Sequence, residues 1–201
     1  MSDNRYQRIT WRGRAFDRYT VAALEAAEYD LSRTLTIYQG SYNAGRVSQS
    51  AGTHDGGGTV DLWCDGVSGR ELARALRRVG FAAWYRPPRP GVWGAHVHAV
   101  QIDNARVSDS ASRQIAEYVA GGDGLAGDFV DPDPWRPDRI TFTYYEEPNM
   151  ALLAELETVR RTHRVSRIKA ARLLLRAARD ASGPLRRARI RSALIALKGM
   201  K

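Results

Sequence analysis

The side chains best able to hold a metal ion lie in two short segments. His54 and Asp61 stand at either end of a run of three glycines in "SQSAGTHDGGGTVDLW" (48–63), and His96 and His98 alternate in "GAHVHAV" (94–100). Residues two apart in a strand point to one face, so His96 and His98 can enter one site from one strand. Asp61 belongs to a strand-like segment of its own, with His54 in the loop before it. Two imidazoles and a carboxylate can then converge, with a third imidazole beside them. Zinc takes such nitrogen and oxygen donors, and a site with three protein ligands keeps one position open. A metal held this way lowers the pKa of water and polarises a carbonyl, which is hydrolytic chemistry. A single histidine is as well explained by packing or exposure, and His-x-His alone is a weak signal. Its pairing with a His-x6-Asp glycine loop carries the weight.

These residues need elements to position them. "DRYTVAALEAAEYDL" (17–31), "SGRELARALRRVG" (68–80) and "SDSASRQIAEYVAGG" (108–122) have helical patterns, the second amphipathic and ended by Gly80, the third with a serine or aspartate cap and a glycine exit. "TLTIYQG" (34–40), Thr59 to Trp63, "FAAWYR" (81–86), "HVHAVQI" (96–102) and "ITFTYY" (140–145) read as strands. Helices interspersed with short strands and glycine loops predict an α+β fold, a small mixed or antiparallel sheet flanked by helices.

Charge divides the chain. The net charge of +9 comes from the end of the sequence, where residues 150–201 hold fourteen Lys/Arg against Glu155, Glu157 and Asp180. All five tryptophans and sixteen of the eighteen glycines precede residue 149. The expected organisation is a near-neutral domain over 1–148 and a basic helical extension over 149–201, with helices near 150–181 and 184–198 broken at Gly183-Pro184. Cys64 is the single cysteine, which excludes an intramolecular disulfide framework and suits a reducing cytoplasm. The first thirty residues lack the apolar core of a signal peptide, and no run approaches the ~20 apolar residues of a membrane helix.

His54-Asp55-Gly56-Gly57-Gly58-Thr59-Val60-Asp61 resembles the His-x-x-Gly-x-x-x-Asp zinc motif of the D-Ala-D-Ala carboxypeptidase, lysostaphin-type and hedgehog superfamily. Ala95-His96-Val97-His98 is similar to the Ala-His-x-His segment of hedgehog and the His-x-His of murein endopeptidases. "QGSYNAGRVSQSAGTHDGGGTVDL", "WGAHVHAV" and "AGGDGLAG" together resemble a peptidase-like domain of actinobacteria and their phages, over roughly residues 30 to 145. The resemblance implies a hedgehog/DD-peptidase-like fold with His54, Asp61 and His98 as zinc ligands and His96 as catalytic base or transition-state stabiliser. Several members carry a glutamate three or six residues before the last zinc histidine. Here those positions are Ala95 and Val92, so the base falls to His96 or the domain does not hydrolyse.

The expected function is a zinc-dependent peptidoglycan peptidase, a phage endolysin or virion-associated wall hydrolase, cutting a stem or cross-link bond involving a D-amino acid. The alternative is a non-catalytic zinc-fold module that binds wall peptide or a partner protein. Such a product would be made in a host cytoplasm and reach the wall by lysis or on a virion. Gln39, Ser41, Tyr42 and Trp93 are candidates for holding substrate, with sheet or aromatic packing as the plainer explanation. Asp55 is expected to point away, and Cys64 to be a small buried thiol. "DPDPWRPDR" (131–139) reads as a surface loop without assignable chemistry. The expected partners are bacterial peptidoglycan and, for the basic tail, an anionic envelope surface. A solvated helix without a role and a partner helix remain open for the tail, and no base-specific nucleic-acid motif is present.

Overall fold

The computed structural model describes residues 4–144 apart from 46, 128 and 143. The expected tail helices and the boundary at 148/149 lie outside the described residues. The fold is α+β. A hairpin of β1 (Arg8–Trp11) and β2 (Arg14–Asp17) precedes α1 (Arg18–Leu31), β3 (Ile37–Gln39), β4 (Thr59–Trp63), α2 (Gly69–Arg78), β5 (Phe81–Arg86), β6 (His96–Gln101) and α3 (Asp109–Val119).

The helices begin where their caps dictate. Asp17 accepts from the backbone N–H of Thr20 at 2.7 Å, Ser68 from Glu71 and Ser108 from Ala111, each at 3.1 Å. Each cap satisfies an otherwise orphaned first-turn donor. β3 to β6 form one antiparallel sheet in the order β3-β4-β6-β5.

Alternation sends this sheet's two faces to different tasks. Val60, Leu62, Ala83, Val97 and Ala99 face the main core, against Phe16, Leu24, Leu72 and Leu76 from β2, α1 and α2. The opposite face carries Asp61, Trp84, Arg86, His96 and His98. There Trp84 and Ala82 pack on Tyr118 of α3. Register fixes the polar face: Asp61 lies opposite His98, and on the other side of β6 Trp84 opposes His98 and Arg86 opposes His96. A one-residue slip of β4 would turn Asp61 into the apolar core.

Three expectations are revised. Strands β1 and β2 were not anticipated; they meet at Arg12 (φ 50) and Gly13 (φ 73), a two-residue loop with both central residues left-handed, as a tight hairpin turn requires. None of the described residues of the expected strand at 140–145 is in a strand. Its Thr141 N–H instead donates to Arg78 O at the end of α2 (2.7 Å), and Phe142 is buried in the core. The 131–139 loop is also more than surface, because Asp131 is buried and anchors a buried cation. Arg77, 1 % exposed, donates to Asp131 Oδ2 (2.7 Å) and to the carbonyls of Ala83, Asp133 and Trp135. Together these acceptors offset the cost of burying a guanidinium.

Candidate metal centre

His54 reaches the sheet because its glycine loop is pinned from three sides. Tyr42 N–H donates to Gly56 O, Gly57 N–H to Arg106 O and Gln101 N–H to Gly58 O. Gly58 alone of the three glycines has a left-handed φ, of 75°. Gly57 is required for a different reason: a Cβ there would stand 2.4 Å from Asp17 Oδ2 and 2.6 Å from Tyr42 Oη. The glycines thus serve close packing more than turning. Asp17 is fully buried and is held by Thr20, Asn104 and Tyr42, so the loop rests on a polar platform built around the α1 cap.

On this support His54, Asp61 and His98, all buried, bring ligand atoms within 4.8 Å of one another. His54 Nε2 is 3.3 Å from Asp61 Oδ2, and His98 Nδ1 is 2.7 Å from Asp61 Oδ1. The imidazoles' other nitrogens are spoken for. His54 Nδ1 lies 2.9 Å from Gly40 O, an acceptor only, so it carries the proton. His98 Nε2 lies 2.8 Å from Gln114 Oε1. Gln114 is oriented by its own amide, whose Nε2 donates to Gly124 O at 2.8 Å, so Oε1 must accept from His98.

In the neutral imidazoles, the two nitrogens turned toward Asp61 therefore present lone pairs to a carboxylate. Burial lowers the pKa of His98; the Asp61 charge opposes this, while His54 and Arg86 add to the lowering. Burial also works against ionisation of Asp61. Without a metal, the charge of His98 and the hydrogen bonds of His54 and His98 hold the carboxyl well below the usual range when the facing nitrogens carry protons, and a cation would take the place of those protons. An ionised carboxylate facing two lone pairs in a buried pocket is a cation site. The group is able to coordinate a metal ion, with outer partners, a backbone carbonyl and Gln114, of the kind that orient ligating histidines.

The group opens on a cleft of about 260 Å³. His96, Gln39 and Trp93 line it with His54, Asp61 and His98. His96 stands outside the cluster of donors, its Nδ1 2.7 Å from Gly94 O and its ring edge-on to Tyr38 and Trp93. Gln39 exchanges hydrogen bonds with Ser50 at 2.9 and 3.2 Å. Trp93 donates its indole N–H to Pro87 O.

Ser41 and Tyr42 are not among the lining residues. Ser41 Oγ donates to Thr59 O (2.7 Å) and ties the loop to β4, and Tyr42 belongs to the Asp17 platform. Trp84 lies beneath the site, its ring stacked on His98 at 6.2 Å, and Tyr85 turns to the opposite face against Gly69. Asp55 is exposed, and Cys64 is half-buried beside the core.

Two residues of the site were not anticipated. Gln114 falls between Ala111 and Tyr118 on the buried stripe of α3, and Arg86 shares the inward parity of Ala82 and Trp84 on β5. A polar group on an otherwise inward stripe was the available signal in both cases.

The chain matches no family model, no curated protein and no solved structure. The expectation about partners is corrected accordingly. No helix among the described residues is long and apolar enough to cross a membrane, and that part alone stands. Peptidoglycan and an anionic envelope are withdrawn as partners, because no match carries them and the basic tail assigned to the envelope lies outside the described residues.

Proposed function

We propose that the domain is a zinc-dependent peptidase of the D-Ala-D-Ala carboxypeptidase and hedgehog superfamily type, cleaving a peptide bond that involves a D-amino acid. The observation that carries the proposal is the donor set: two neutral imidazole nitrogens and a carboxylate, each imidazole fixed in tautomer by a partner on its far side. The His54 and Asp61 donors are 3.3 Å apart, matching the edge of a tetrahedron with metal bonds of about 2.0 Å. His54, Asp61 and His98 would hold zinc, which supplies Lewis acidity toward a carbonyl and a nucleophile at neutral pH.

The chain's own residues supply the rest. His96 donates from Nδ1 to Gly94 O, which leaves Nε2 as the proton acceptor of a ring that lines the cleft. It is the general base, and afterwards the acid toward the leaving amine. Trp93 and Tyr38 border the His96 ring edge-on and hold its orientation.

A second reading is favoured by one observation. Asp61 is the only carboxylate among the described residues that line the cleft, so a site without a glutamate base also suits a non-catalytic zinc module that binds peptide. Release of new amino groups from synthetic peptides containing D-residues, with and without chelator, decides between them. Chelator-sensitive release supports the peptidase; tight binding of the same peptides without release supports the module.

A further inference from the structure

The cleft holds a cation that the donor set does not explain. Arg86 closes β5 opposite His96, is 6 % exposed, and lines the cleft together with the three metal-binding side chains. Its guanidinium lies over the Trp84 ring, 5.3 Å from the centroid, and Trp84 in turn stacks on His98. The aromatic stack fixes the guanidinium beside the centre. Arg86 Nη2 is buried with no hydrogen-bond partner among the described residues.

None of the nearby acids accepts a hydrogen bond from Nη2. Asp61 faces the two imidazoles and Asp131 pairs with Arg77 and Arg136, while Asp123, whose Oδ1 accepts from the Leu125 N–H, acts on Arg86 through its charge alone. A buried donor left unmet is expensive, and a guanidinium even more so. With a divalent cation on two neutral imidazoles and one carboxylate, Arg86 raises the local charge further, so the cleft calls for an anion. The planar fork of Arg matches a carboxylate.

We propose that Arg86 is the carboxylate receptor of this cleft, so that the ligand held beside the His54–Asp61–His98 centre presents a carboxylate group. This rests on the peptidase reading for the identity of the ligand as a peptide. Its carboxylate belongs either to a free C-terminus or to an acidic side chain.

Binding of three probes to the full chain separates these: N-acetyl-alanine, its amide, and the α-amide of N-acetyl-glutamic acid. Calorimetry is run with zinc added and after chelation, on the wild type, Arg86→Gln and Arg86→Lys. The wild type should bind one of the two carboxylates at least about tenfold tighter than the neutral amide, and the preferred probe identifies the source. Arg86→Gln should lose that preference and Arg86→Lys should keep part of it, with near-ultraviolet circular dichroism confirming that each variant is folded. Equal binding of acid and amide by the wild type overturns the proposal, as does a full preference in a folded Arg86→Gln. Should Arg86→Gln not fold, Arg86→Lys decides alone: an undiminished preference overturns the proposal and a weakened one supports it. An Arg86-dependent preference in a protein that cleaves no peptide overturns the peptidase reading and leaves the receptor standing.

Discussion

Asp61 and His98 face each other across the β4–β6 ladder, with Oδ1 2.7 Å from Nδ1 and the far side of the ring held by Gln114 at 2.8 Å. Backbone register sets this distance, so the site is as rigid as the sheet. His54 joins from a loop and completes the set from Asp61's other oxygen. The two halves of the centre therefore depend on different structure, the sheet for one and the glycine loop for the other.

Gln114 should tune the metal without touching it. Gln114→Ala frees the His98 ring to rotate and to change tautomer. Zinc affinity should fall about 10- to 100-fold, as for other outer partners of ligating histidines, with little change in thermal stability of the chelated protein. A competition titration with a chromogenic chelator measures it.

His96 separates chemistry from metal binding. His96→Ala should retain zinc and lose about 10²- to 10⁴-fold in peptide hydrolysis, the range for a general acid–base group. Equal loss of zinc and of turnover in this variant would make His96 a ligand instead.

The loop's support predicts a steric effect. Gly57→Ala places a methyl against Asp17 and Tyr42 at distances no real contact tolerates. We expect destabilisation of about 1–3 kcal/mol, typical of overpacking, read from the denaturant midpoint, with zinc affinity weakened because His54 shifts.

Tyr42 predicts the alkaline limb of stability. Burial first, then the charge and hydrogen bond of Asp17, push its hydroxyl up to about 12, against the opposing Arg8. The unfolded chain releases this proton near pH ~10, so between these values the folded state binds more protons. Its contribution is whole below about pH 10 and is lost as pH rises toward about 12. Tyr42→Phe should flatten that limb in urea melts taken across the range. An unchanged slope would remove Tyr42 from the platform.

Much of the architecture was legible because it follows local rules. An amphipathic pattern ended by Gly80 placed α2, a serine or aspartate cap with a glycine exit placed α3, and strand alternation in "HVHAVQ" placed His96 and His98 on one face. The hairpin at 8–17 was hidden by its arginines, since three of its exposed positions are Arg8, Arg12 and Arg14 and only Phe16 and Asp17 are fully buried. The 140–145 segment has strand alternation, yet its backbone binds the end of α2 rather than a sheet edge, a tertiary choice that no pattern encodes. At the site, spacing pointed to three histidines and Asp61, the resemblance singled out His54, Asp61 and His98, and the fold brings the donor atoms of those three within 4.8 Å of one another. Gln114 and Arg86 came from elements whose packing partner, α3 against β5, had to be known first. Ser41 and Tyr42 sat in the right stretch, but their hydroxyls hold the loop rather than line the cleft.

The most direct test is the zinc content of the purified chain after equilibrium dialysis, compared across four alanine variants. One zinc per chain is predicted for the wild type and for His96→Ala, with affinity reduced at least about tenfold in His54→Ala, Asp61→Ala and His98→Ala. A wild type that retains no zinc, or four variants that retain it equally, contradicts the metal centre.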